Sequence, residues 1–127
     1  MRYFLFTIIL LAFSACSTKQ QLSSNSAVII FKTPSMKFYD KGFVKRFDDY
    51  VNLQIYNGGQ VALNINIFKN KICKGFLQCQ SSKEFNRLYL SSSYDDDFLY
   101  KLFISKKVYF KDKQNGIFIK VKKLNAI

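Results

Sequence analysis

The sequence predicts an α+β domain: an antiparallel sheet of amphipathic hairpins, either an incomplete half-barrel or a small sandwich, with two short helices. Three observations carry this expectation. Several segments alternate apolar and polar residues with period two, the sign of strands buried on one face. Pairs rich in Gly and Asn separate them, where tight turns need positive φ. Two runs in the second half of the chain instead space their apolar residues three and four apart, as one face of a helix requires.

The chain does not open on that domain. Met1-Arg2 supplies one positive charge, Tyr3 to Phe13 is apolar apart from Thr7, and small Ser14 and Ala15 lead to Cys16. A basic start, a short apolar run and small residues at a cut site describe a secretory signal over residues 1–15. A membrane span needs about 20 apolar residues, and this run is too short. Residues 16–26 then turn polar, and Ser17 to Ser26 (STKQQLSSNS) contain one apolar side chain, Leu22. Such a segment is expected to be a flexible tether with a reach on the order of 15–20 Å. Residues 27–127 are enough for one globular domain.

Within that domain the elements follow in order. Ala27 to Lys32 and Met36 to Tyr39 read as short strands around Thr33-Pro34-Ser35, and Lys41-Gly42 reads as a turn into Phe43 to Phe47. In Tyr50 to Tyr56, Val51, Leu53 and Ile55 share one face. In Gln60 to Phe68, Val61, Leu63, Ile65 and Ile67 align in the same way, and Asn57-Gly58-Gly59 supplies the hairpin turn. Tyr50, Tyr56, Phe68 and Phe118 fall opposite the aliphatic stripe, so the second side of the sheet is not expected to be wholly polar.

Ser81 and Glu84 have capping-box spacing, and Phe85, Leu88 and Tyr89 continue on one helical face. Asp95-Asp96-Asp97 precedes Phe98, Leu99, Leu102 and Phe103, where acids favour a helix N-terminus. Lys107 to Lys111 and Ile117 to Lys123 close the domain as strands around a turn at 112–116.

The residues that carry chemistry are few. The chain has no histidine, hence neither the usual general base nor the commonest neutral metal ligand. It contains no G-x-S-x-G, P-loop or zinc spacing, so the expectation is a non-enzyme without cofactor or metal. Asp95-Asp96-Asp97 offers oxygens to Ca²⁺ but lacks the Gly and distal Glu of an EF-hand loop, and helix capping is the simpler reading. Cys73 and Cys79 stand six apart around Lys74-Gly75. In an oxidising compartment this pair favours a disulfide that staples a small hairpin, and the spacing is not the C-x-x-C of thiol oxidoreductases.

A net charge of +12 would suggest nucleic acid for a cytosolic protein, but export argues against that partner. The lysines (Lys32, Lys37, Lys41, Lys45, Lys69, Lys74, Lys101, Lys111) are scattered. They read either as solvated faces or as attraction to anionic head groups or an acidic partner. Fourteen Phe and eight Tyr exceed what turns and surfaces use, which leaves core filling or an apolar groove for acyl chains.

Two resemblances sharpen these expectations. Phe13-Ser14-Ala15-Cys16 resembles the lipobox of bacterial lipoproteins. That resemblance implies a diacylglycerol on the Cys16 thiol, cleavage before it, and acylation of the new amino group; two or more chains anchor a protein stably. Ser17, in place of the Asp that retains such proteins in the inner membrane, implies the periplasmic face of the outer membrane. The hairpins from Phe38 to Phe68 and the stretch Leu90 to Phe103 are similar to the carriers and receptors of the lipoprotein-localisation system, LolA and LolB. Those form an incomplete β-barrel closed by helices around an apolar cavity.

The resemblance implies a lipid-anchored protein that binds lipid or lipoprotein acyl chains; the aliphatic stripe of the central hairpin, Val51, Leu53, Ile55, Val61, Leu63, Ile65 and Ile67, supplies the candidate groove. The alternative from the residues is an interaction or scaffold module that docks onto a cell-envelope assembly.

Overall fold

A computed structural model describes residues 21–124. The signal segment, Cys16 and the first part of the tether lie outside the described residues. The domain is one antiparallel sheet of eight strands, open rather than closed into a barrel, with two helices.

The strands are β1 (Gln21–Lys32), β2 (Lys37–Phe47), β3 (Val51–Asn57), β4 (Gln60–Ile67), β5 (Lys71–Lys74), β6 (Gln78–Ser81), β7 (Tyr109–Asp112) and β8 (Ile117–Lys123). Their spatial order is β6-β5-β4-β3-β2-β1-β8-β7. Six strands follow one another as hairpins, and the last two return to pair with the free side of β1. β1 is therefore interior, with β2 on one side and β8 on the other.

The tether is shorter than its composition suggests. β1 starts at Gln21, and Ser23 to Ser26 pair with Arg46 to Phe43 of β2. Ladder hydrogen bonds come from the backbone, so a polar run with no apolar period can still be a strand when a partner lies beside it.

The expected turn at Lys41-Gly42 is also absent, because β2 runs straight through it. Gly42 pairs with Ala27 on β1 and Ile55 on β3. A Cβ there would stand 2.0 Å from the Gln54 carbonyl oxygen and 2.9 Å from Ile29 Cδ1. Gly42 marks a close approach inside a strand rather than a change of direction. The β3–β4 turn is as the sequence predicts, with Gly58 and Gly59 at φ +61° and +82°, the two positive angles of a type I′ hairpin.

Helix α1 (Ser82–Tyr89) is capped by Ser81, whose Oγ accepts from the Glu84 N–H at 3.1 Å. The reciprocal half of a capping box is missing, since the Glu84 carboxylate binds Arg87 instead. Helix α2 (Phe98–Ile104) has Asp97 at its N-cap, but that side chain makes no capping bond. It lies 3.3 Å from the Lys101 ammonium one turn on, so Asp97 makes an ion pair and not the capping hydrogen bond expected of the acidic run. At the other end of α2, Arg46 Nε donates to the Phe103 carbonyl at 2.9 Å and Ser105 Oγ to that of Leu102 at 2.6 Å. Carbonyls that a helix end leaves without partners are thereby satisfied.

The core lies between the sheet and the helices. Ile29, Phe31, Val44, Leu53, Ile67 and Ile119 from the strands meet Phe85, Leu99 and Phe103 from the helices, all buried. The Phe31 and Phe103 rings stack with centroids 6.5 Å apart.

A candidate apolar cleft and the disulfide hairpin beside it

The aliphatic stripe divides into three fates. Val51, Leu53, Ile55 and Ile67 are fully buried under the helices and form core, not an open groove. Leu63 and Ile65 line a cleft of about 380 Å³. Val61 is half exposed and faces the other side of the sheet.

A bulge explains Val61. Ile55 pairs with Leu63, but Tyr56 pairs with Val61, so Ala62 is the extra residue. One inserted residue reverses the alternation beyond it. Val61 thus follows Tyr56 to the convex face, and strict period-two counting assigns it to the wrong side.

The cleft is built where the sheet loses a neighbour. β5 pairs only with Ile65 to Ile67, leaving the first half of β4 without a strand on that side among the described residues. Met36 and Phe38 from the β1–β2 corner, Leu63 and Ile65 from β4, and Phe85 and Tyr89 from α1 form its apolar walls. The helical rings stand at i and i+4 with centroids 4.8 Å apart.

Lys74, exposed at the end of β5, supplies the one charged side chain of the lining. An adjoining recess of about 220 Å³ shares Lys74, Phe85 and Tyr89 and continues to Cys79. The larger of the two falls within the range of small-molecule sites, roughly 300–1,000 Å³. An apolar trough with one ammonium at its rim is suited to an apolar chain that ends in an anionic group.

The cysteine expectation holds. Cys73 and Cys79 face each other across β5 and β6 with Sγ–Sγ 2.07 Å, bridging the hairpin whose turn contains Gly75. The sequence did not disclose what this hairpin covers. On the convex face Asn52 Nδ2 donates to Asn64 Oδ1 at 2.9 Å and to Asn66 Oδ1 at 2.8 Å. Asn66 Nδ2 in turn donates to the Gly75 carbonyl at 2.7 Å.

The stapled turn therefore folds back over an asparagine cluster in which Asn52 and Asn66 are buried. Around it, Tyr50 stacks between Phe47 and Phe68 at 4.6 and 5.0 Å and meets Phe76 edge-on at 5.8 Å. Asn at alternate positions of two paired strands was the available signal, since only cross-strand register brings Asn52 and Asn66 together.

A second polar knot closes the far edge. The Tyr94 hydroxyl donates to Asp112 Oδ2, and Asn115 Nδ2 donates to the same oxygen at 2.7 Å. Burial first, and then the Asp112 hydrogen bond, push the Tyr94 hydroxyl up to about 12. The donated bonds from Tyr94 and Asn115 hold Asp112 below the usual carboxylate range. Tyr94 also packs on Phe98 and Phe110, so this knot fastens the α1–α2 connection to β7. Among the described residues, the acidic run before α2 included, no group of three His, Cys, Asp or Glu is placed to hold a metal ion.

No protein-family model matches the chain, and neither a curated protein nor a solved structure matches it.

Proposed function

We propose that this chain is a non-catalytic lipoprotein, held at the periplasmic face of the outer membrane by acyl chains on Cys16, whose domain receives an acyl chain of lipid or lipoprotein cargo. The likeness to the LolA and LolB carriers and receptors belongs to this proposal. The observation that carries the binding step is the cleft between α1 and the unpaired half of β4, with Phe38, Leu63, Phe85 and Tyr89 as walls and Lys74 at the rim. Anchoring rests on the sequence Phe13-Ser14-Ala15-Cys16 after an apolar run.

Each half has its own test. Labelled palmitate enters the wild-type chain in a bacterial host and is absent from Cys16→Ala. For the cleft, Leu63→Asp lowers saturable uptake of an apolar dye by on the order of tenfold, the equivalent of losing about 1.4 kcal/mol of apolar contact. Val61→Asp, two residues away on the opposite face, leaves uptake unchanged. Equal losses in both variants, or none in either, remove the cleft as the binding site.

One feature favours a second reading, an interaction module that docks onto a cell-envelope assembly. Leu77 is 96% exposed and Phe76 66% exposed at the tip of the stapled hairpin. Large apolar side chains held out on a rigid turn suit a protein contact. Under that reading Leu77→Asp abolishes crosslinking to an envelope partner while dye uptake stays intact.

A further inference from the structure

The fold gathers onto one end of the sheet lysines that lie far apart in the chain. β1 begins where β2 finishes, and β8 stops part-way along β1: Ser24 pairs with Lys45, Ser23 with Arg46, and Ala27 with Lys123. The α2–β7 connection adds exposed Lys106 and Lys107 there. Arg46, Lys106, Lys107 and Lys123 converge, with Asn25, on a shallow recess of about 170 Å³. Lys45 and Lys122 lie beside these four cations, and the neighbouring β2–β3 turn adds two carboxylates, Asp48 and Asp49, which share a recess with Lys69 of the β4–β5 turn. The acidic run Asp95-Asp96-Asp97 lies elsewhere, since Tyr94 is tied to Asp112 at the opposite end of the sheet.

This is also the end at which the chain leaves toward Cys16. Only four residues lie between Cys16 and Gln21, so the two are at most roughly 18 Å apart along the chain. β1 itself spans roughly 35–40 Å. Charges act on a bilayer surface only within about 8–10 Å at physiological salt. Net charge is therefore a poor guide, and what matters is which charges the tether brings within reach.

We infer that the Lys45, Arg46, Lys106, Lys107, Lys122 and Lys123 end of the sheet is a docking face for a bilayer rich in anionic head groups. It fixes the orientation of the domain and turns the mouth of the cleft away from the membrane. The cleft lies at the other end, where Met36 sits at the β1–β2 corner and β4 begins. This inference rests on Cys16 being the anchor. A single point of attachment leaves orientation free, whereas each Lys or Arg at an anionic surface contributes roughly fivefold in binding.

The test uses the full chain, recovered from bacterial membranes after labelling with palmitate and reconstituted into phosphatidylcholine vesicles with or without phosphatidylglycerol. A fluorophore is placed on exposed Asn70→Cys at the basic end or exposed Gln114→Cys at the opposite end, and quenching by spin-labelled lipid is read. With phosphatidylglycerol the Asn70 probe is quenched far more than the Gln114 probe, and the bias disappears in high salt. The triple variant Lys106→Gln, Lys107→Gln, Lys123→Gln reduces it by on the order of a hundredfold in equilibrium constant.

Palmitate-labelled protein whose two probes are quenched equally overturns the docking face and leaves the anchor standing. A bias indifferent to phosphatidylglycerol or to the triple variant does the same. Absence of label overturns the anchor, and the docking face with it.

Discussion

Gly42 shows how one position holds a sheet together by what it lacks. An added Cβ meets the Gln54 carbonyl at 2.0 Å and Ile29 Cδ1 at 2.9 Å, both in interior strands that have little room to move. Alanine gains about 0.5–1 kcal/mol over glycine from backbone entropy, but overpacking an interior costs about 1–3 kcal/mol. The clash wins, so Gly42→Ala is destabilised by roughly 1–2 kcal/mol, read as a lower urea midpoint with an unchanged slope.

Tyr94 and Asp112 give the residue scale a pH signature. Asp112 is depressed in the folded state, so its contribution is present above the unfolded value near 3.9 and is lost as pH falls through the lower folded value. Tyr94 is raised to about 12, so its contribution is complete below the unfolded value near 10 and is lost as pH climbs toward 12. Tyr94→Phe therefore flattens the stability profile at both extremes. A variant whose midpoints follow the wild type from acid to alkaline pH contradicts this assignment.

At the scale of elements, the stapled β5–β6 hairpin has the most to lose. The pair closes a short loop, six residues apart, which the chain-entropy account values at roughly 2 kcal/mol. Reduction, or Cys73→Ser with Cys79→Ser, lowers stability by about that amount and frees the turn whose Gly75 carbonyl holds Asn66. Hydrogen exchange at β5 and β6 accelerates more than at β1, and uniform acceleration counts against a local role.

Helix α1 responds differently to changes at Ser81, which caps it, and at Glu84, which does not. Ser81→Ala costs about 1 kcal/mol because its Oγ serves the Glu84 N–H. Glu84→Gln leaves the thermal midpoint nearly unmoved, since that carboxylate is exposed and paired only with Arg87.

For the whole molecule, the pairing of β1 with β8 decides cooperativity. Strands from the two ends of the described chain are neighbours, and the core runs without a break from Ile29 and Phe31 to Ile119 and Phe103. Near- and far-ultraviolet circular dichroism are expected to report one coincident unfolding transition. Folding is expected on the millisecond-to-second scale that non-local strand pairing imposes. Two separated transitions count against a single core. The same topology puts the cleft and the basic end a strand length apart, so substitutions at Leu63 and at Lys106 are expected to act additively.

Local physics made much of this legible from the amino acids. Alternation in Val51 to Ile55 marks a strand because side chains reverse at every residue. Gly58-Gly59 marks its turn because little else tolerates two positive φ angles, and Cys73 with Cys79 marks its staple. The sequence also bounded the chemistry, since a chain without histidine has fewer ways to be an enzyme.

Other features depend on which strands lie side by side, and no local pattern encodes that. Register put Ala62 out of step and carried Val61 to the convex face. A partner strand drew Ser23 to Ser26 out of the expected tether, and two neighbours made Gly42 interior. Burial turned Val51, Leu53, Ile55, Ile65 and Ile67 into core and left Leu63 partly open to the cleft that Ile65 floors. Scattered lysines became one basic end for the same reason: the folded chain sets distance across strands, whereas the sequence sets it only along them.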